Sequence, residues 1–187
     1  MKIAFVSAAV LFASVFAAPS AQAAASVIGG GLAHSCYIQA EYNIDPNGSI
    51  QICTNALANE VLSRADHAST LINRAILRAH SADLQGAMQD YADALQLSGN
   101  DGEVYLNRSA TLIAMRRFAD ALKDADAAIK LQPARLEIAY FNRGLANESL
   151  GNVKAAYDDY KMALSIQPEF TAASDALARF RLKPNNS

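Results

Sequence analysis

The feature that most constrains this chain is a residue pair that returns at nearly constant spacing. Asn142-Arg143 has counterparts at Asn107-Arg108 and Asn73-Arg74, steps of 35 and 34 residues. A period of that length is the mark of an array of helical hairpins, in which each unit buries its apolar face only against its neighbours. Within the clearest unit, Glu137 to Pro168, apolar or small residues recur at helical spacing in two halves. Leu150-Gly151-Asn152 separates the halves, and Pro168 closes the second.

The recurring columns are those a helical hairpin needs. One small residue on each first helix (Ala75, Ser109, Gly144) faces two alanine columns on the second: Ala87, Ala121 and Ala156, then Ala94, Ala128 and Ala163. Small side chains let two helix axes approach closely, and larger ones there would overpack the contact. Leu71, Tyr105 and Tyr140 are expected as larger core residues, with Leu97, Leu131 and Ile166 near each unit's end. Gly99, Pro133 and Pro168 stop the second helices.

From about Ala68 to Pro168 these columns resemble the tetratricopeptide repeat family. The third unit matches best, with Tyr140, Asn142, Gly144, Gly151, Ala156, Tyr160, Ala163 and Pro168 in the family's places. The first unit has Gly99 where the family commonly has proline. Tryptophan is absent from the chain, and Arg78, Leu112 and Asn147 replace a common tyrosine. The resemblance implies an all-α, right-handed solenoid of antiparallel hairpins. Its units span about 68–101, 102–136 and 137–168 within a repeat region of 67–168, and it implies a module that binds other proteins.

The chain opens with Met1-Lys2, an apolar run from Ile3 to Ala18, then Pro19 and the small-residue site Ala21-Gln22-Ala23. That pattern predicts a secretory signal peptide over residues 1–23, cleaved after Ala23, and a periplasmic or secreted product. A retained anchor fits less well, because the run is shorter than the roughly 20 apolar residues a spanning helix needs. Without residues 1–23 the chain has 164 residues, 15 basic and 18 acidic side chains, and a net charge of −3. A mildly acidic chain without a basic run argues against nucleic acid or an anionic membrane as partner.

Residues 24–66 read as a small, glycine-rich start followed by a degenerate hairpin. Its helices are expected at Ala33 to Asn43 and from about Ser49 to Leu62, with Asn47 or Ser49 as cap. Cys36 and Cys53 are the only cysteines, one per helix. In an exported chain an even pair reads first as a disulfide. The rival reading is a metal site, with His34 and His67 flanking the cysteines, but the spacing matches no familiar zinc pattern. Residues 169–187 are expected to form a capping helix, with Phe170, Ala173, Leu177 and Phe180 on one face, and a tail.

Nothing in the sequence asks for catalysis or a cofactor. No glycine-rich phosphate loop, nucleophile elbow or His-Glu-x-x-His motif is present. The pairs Asp124/Asp126 and Asp158/Asp159 fall on second helices and are expected on solvated faces. An enzyme or metal protein centred on the Cys/His hairpin, or a self-associating structural protein, are the alternatives to an interaction module.

The family's concave columns here hold Ile72, Asn73 and Ile76 in the first unit. The second holds Leu106, Asn107, Ala110 and Ile113, and the third Phe141, Asn142 and Leu145. Residues four apart share a helix face, so Ile72/Ile76 and Phe141/Leu145 are expected to join an apolar strip edged by three asparagines. Each asparagine has two readings: a hydrogen bond to a bound peptide's backbone, or a lock between neighbouring repeats. The arginines beside them read more as structural bridges. The lysine-and-asparagine clamp of some family members is matched only at Asn107, with Ile72 and Ile138 in the cationic places. An apolar segment, extended or helical, is therefore the expected partner, with a homodimer through the same strip as the alternative.

Overall fold

Helical spacing and capping residues account for the nine helices found among the described residues, 31–42 and 45–180 of a computed structural model. They are α1 (Leu32–Tyr42), α2 (Pro46–Asn59), α3 (Arg64–His80), α4 (Leu84–Ser98), α5 (Gly102–Ala114), α6 (Phe118–Leu131), α7 (Leu136–Ser149), α8 (Val153–Ile166) and α9 (Thr171–Ala178). The signal peptide and cleavage site, the glycine-rich start up to residue 30, and the tail from 181 lie outside the described residues.

Ser63, Asp83 and Asp101 begin α3, α4 and α5 by accepting backbone N–H bonds from Asp66, Gly86 and Glu103. Inside each hairpin the turn repeats as well. Ala82, Arg116 and Gly151 adopt positive φ (63°, 58° and 81°). The following amides, Asp83, Arg117 and Asn152, donate back five residues to Arg78, Leu112 and Asn147 at 2.8 Å. That is the Schellman closure, which returns the chain at the same angle in all three units.

Two expected boundaries move. Helix α2 starts at Pro46, not at Ser49, because proline suits the first turn, where its missing N–H leaves no bond unmade. Ser49 is buried inside it and donates to Gln39 of α1 instead of capping. Helix α9 covers only Thr171–Ala178 of the expected cap.

Helices pair as α1/α2, α3/α4, α5/α6 and α7/α8, and the first helices α1, α3, α5 and α7 also touch in series. The second helices make no comparable contact with one another, so the stack is tighter on the first-helix side and curves with that side concave. Of the second-to-first helix contacts between consecutive hairpins, α4 on α5 is the lightest.

The small-residue columns are buried throughout. Gly144 lies so close to α8 that a Cβ there would meet the Tyr160 ring at 2.6 Å. Leu71 is core, but Tyr105 and Tyr140 are half-buried under the guanidinium groups of Arg108 and Arg143. Of the residues expected near each unit's end, Leu97 is half-buried against the first unit's core, whereas Leu131 and Ile166 are exposed rather than core. In the first hairpin, the Cys36–Cys53 disulfide joins α1 to α2 with Cα atoms 4.9 Å apart, packed on Leu77 of α3. Glu60 closes the same hairpin by accepting from the Leu32 and Ala33 amides at the start of α1.

Candidate binding groove

The concave side is built from α3, α5 and α7, so its chemistry is set by which face of each helix is free of its hairpin mate. Among the expected strip, Ile72, Ile76, Leu106 and Phe141 are buried, whereas Ala110, Ile113 and Leu145 are half-buried. First helices pack on each other, so much of the apolar stripe is consumed between units. Phe141 is taken up differently, between Tyr160 of its own hairpin mate α8 and Phe170 at the start of α9, with ring centroids 5.6 and 5.2 Å away. The open part of the strip is thus narrower than the sequence pattern suggests.

The three asparagines are all buried but are used differently. Asn142 donates to Ser109 Oγ at 2.9 Å and to the Leu106 carbonyl at 3.3 Å, tying α7 to α5. Asn107 donates to the Glu103 carbonyl of its own helix, and its Oδ1 has no partner. Asn73 is fully buried with neither side-chain atom bonded. The column itself gives a reason. Ser109 offers Asn142 a hydroxyl, but one unit earlier the place belongs to Ala75, which offers Asn107 none.

The arginines are structural, and the carboxylates that hold them are not solvated. Arg74 pairs with Asp90, Arg108 with Asp124 and Arg143 with Asp159, each sixteen residues on and across the same hairpin. Asp90, Asp124 and Asp159 are buried, which corrects the expected water-facing positions of Asp124 and Asp159. An arginine fork supplies aligned donors to each buried carboxylate, offsetting the cost of taking that charge out of water. Arg143 also reaches Asp126 of the preceding hairpin, and Arg74 reaches Thr54. The hydrogen bonds to Asp159 raise Arg143 above its ordinary value against the opposing effect of burial. At the C-terminal end, Tyr160 donates to Glu148, which also holds Arg179 beside α9. Burial first, then the Glu148 charge, pushes the Tyr160 phenol up.

The Cys/His hairpin holds its sulfurs in the disulfide. Among the described residues no group of three His, Cys, Asp or Glu side chains is arranged to hold a metal ion. The aspartate column could have been found from sequence: Asp90, Asp124 and Asp159 recur with the same 34- and 35-residue steps as the arginines.

Comparison with known proteins places this geometry. The family description "Tetratricopeptide repeat" matches residues 138–170. Heat shock protein STI1 of Saccharomyces cerevisiae is 32% identical over 96 residues, covering 51% of this chain and 16% of that protein. The Arabidopsis OM64 TPR domain superposes with a TM-score of 0.60 at 25% identity, over 64% of this chain and 98% of that one. The first TPR of Spaghetti (RPAP3), solved with HSP90 peptide SRMEEVD, superposes at 0.57 and 22% identity, covering 60% and 88%. The chain spans about a fifth or less of the length of the curated relatives it matches.

Proposed function

We propose that this chain, which belongs to the tetratricopeptide repeat family, is an exported interaction module that takes an apolar partner segment along its concave face. The observation that carries this reading is the half-buried trio Ala110, Ile113 and Leu145 on adjoining first helices, set in a frame of fixed arginine–aspartate pairs. A rigid curved wall with apolar positions left partly open suits a segment that adds the missing contacts. The segment differs from the acidic HSP90 peptide held by the RPAP3 domain. Ile72 and Ile138 stand where a carboxylate-binding member would have cations, and both are buried.

Export is supported by the charged start and apolar run of residues 1–23, and by a disulfide that an oxidising compartment would maintain. N-terminal sequencing of the protein from its native cell should read Ala24 first. A start at Met1 removes export from the reading.

The groove is tested by capture with the tagged protein. Ile113→Asp with Leu145→Asp should abolish partner recovery, with a fall in the thermal midpoint because both half-buried side chains also pack on the core, and circular dichroism should show the helices retained. Phe141 is unsuitable for this purpose, because its burial against Tyr160 and Phe170 makes a charge there disruptive. Undiminished capture by the double variant would exclude the groove, and a change in oligomeric state would point to self-association through the same strip.

A further inference from the structure

The groups that the first helices leave free for hydrogen bonding decide which conformation of partner the concave side accepts. Its open wall is Ala79 of α3, Ala110, Ile113 and Ala114 of α5, and Leu145 of α7, all half-buried and none with a polar side-chain atom. His80 and Ser149, in line with Ala114, are exposed, but each is the last residue of its helix and stands at the edge of the wall. The side chains suited to reading a peptide backbone are spent or closed. Asn142 is engaged with Ser109 and the Leu106 carbonyl, and Asn107 and Asn73 are 2% and 0% exposed. Along the middle of each first helix the backbone is paired within the helix itself.

An extended segment laid on this wall turns amide and carbonyl groups toward side chains that offer them nothing, and each is costly to leave unpaired. A helix keeps those bonds inside and meets the wall with side chains alone. Its ridge packs beside Ile113 and Leu145, and the alanines leave room for its axis to come close. The charge of the wall narrows the partner further. Every arginine of α3, α5 and α7 is bound to its own second helix, and these three helices contain no lysine. Glu103 and Glu148 remain as the carboxylates of the concave columns, and Arg179 of α9 answers only Glu148. Acidic residues on a partner are therefore opposed, and neutral or basic ones are matched.

We propose that the occupant of the groove is an amphipathic α-helix, its apolar stripe on Ile113 and Leu145 and neutral or basic residues beside the stripe. This rests on the groove reading above and adds to it the conformation and charge of the partner.

The test uses the full chain and labelled synthetic peptides of one composition (leucine, alanine, glutamine and lysine), read by fluorescence anisotropy. One peptide repeats leucine at i, i+3, i+4 and i+7, and the other alternates leucine with polar residues. Equal composition removes non-specific charge attraction from the comparison. The helical-period peptide should bind roughly tenfold tighter than the alternating one. Holding it helical with a hydrocarbon staple on its polar face should tighten it again, because the ordering cost is met before binding. Exchanging its lysines for glutamate should weaken it. These arms use the native chain and need no variant to fold. Ile113→Gln with Leu145→Gln should then remove the helical preference. Equal or tighter binding by the alternating peptide, or weaker binding on stapling, overturns the helical occupant, and loss of that binding in the double variant would show the groove itself still standing. Glutamate peptides that bind as well as lysine peptides overturn the assigned charge. Helical-peptide binding undiminished by the double variant, or binding by none of the peptides, overturns the groove reading and the proposal with it.

Discussion

Replacing Gly144 by alanine sets two well-defined effects against each other. The new methyl carbon would lie 2.6 Å from Tyr160 Cε1 and 2.8 Å from Cδ1, about 1 Å inside the optimal carbon–carbon separation of roughly 3.5–4.0 Å. The ring has little room to retreat. It is fully buried, its hydroxyl donates to Glu148 at 2.6 Å, and Phe141 and Phe180 stand against it at 5.6 and 5.9 Å. Overpacking of this kind costs about 1–3 kcal/mol, while the helix preference of alanine over glycine returns about 1 kcal/mol. The first unit narrows the range, because there Ala75 and Tyr91 share one core and both are buried. A hairpin of this design can therefore open slightly to admit a methyl group, and the net loss should be near 1 kcal/mol, a fall of roughly 2–4 °C in Tm for a chain of this size. Thermal and urea unfolding followed by circular dichroism measure it. In a Tyr160→Leu background the obstacle is gone, so the same Gly144→Ala change should become stabilising relative to Tyr160→Leu alone. A rise in Tm in the native background, or the same effect in both, would refute close packing of Gly144 on the ring.

Other perturbations test other parts of the frame. Asp159→Ala should destabilise by about 2 kcal/mol, a value kept modest because Arg143 is partly exposed, whereas Asp126→Ala should stay within about 0.5 kcal/mol; equal effects in urea titrations would contradict the difference in burial. Ala82→Gly should stabilise by up to about 1 kcal/mol, because φ of 63° suits glycine, and a loss would show that the turn relaxes elsewhere. Replacing Cys36 and Cys53 by serine should lower the melting temperature, with about 3 kcal/mol at stake in the chain-entropy account of a loop this short, while far-ultraviolet ellipticity stays nearly intact. Two titratable thiols in protein taken from its native compartment would remove the bond from the argument.

The stack was legible in the sequence because its period is written in residues with little freedom to vary. Ala128 and Ala163 must be small whatever else changes, so they recur and can be counted. The turn was legible only where glycine announces it, at Gly151. Ala82 and Arg116 take the same backbone shape, and nothing in their chemistry signals it. Asp124 and Asp159 misled because a charged residue on a helix is ordinarily solvated, and only its pairing with an arginine sixteen residues earlier reveals burial. The apolar stripe misled for another reason. Ile72 and Phe141 look the same in sequence whether they face an open wall or a packed helix, and only the placement of the surrounding helices, α8 and α9 for Phe141, decides between the two. The asparagine column was legible by its spacing, but not that Asn142 alone of the three reaches a neighbouring unit, which needs the Ser109 hydroxyl to be located across the joint.

The light contact of α4 on α5 bears on how the molecule comes apart. The joint between the second and third units is stitched by Arg143 to Asp126, by Asn142 to Ser109 and by the Ala134 amide to Glu103. At the joint before it, Arg108 pairs with Asp124 of its own hairpin, Asn107 turns back on its own helix, and the chain crosses through Gly99, leaving the Tyr91–Thr111 hydrogen bond and Val104 in the first unit's core to link the two units. A linear array fails first where neighbouring units are least coupled. Amide hydrogens of α1–α4 and of α5–α9 should accordingly exchange with deuterium as two blocks with separate opening free energies. Under a stretching force the chain should fracture at residues 99–101 before either block yields, giving two rupture events rather than one.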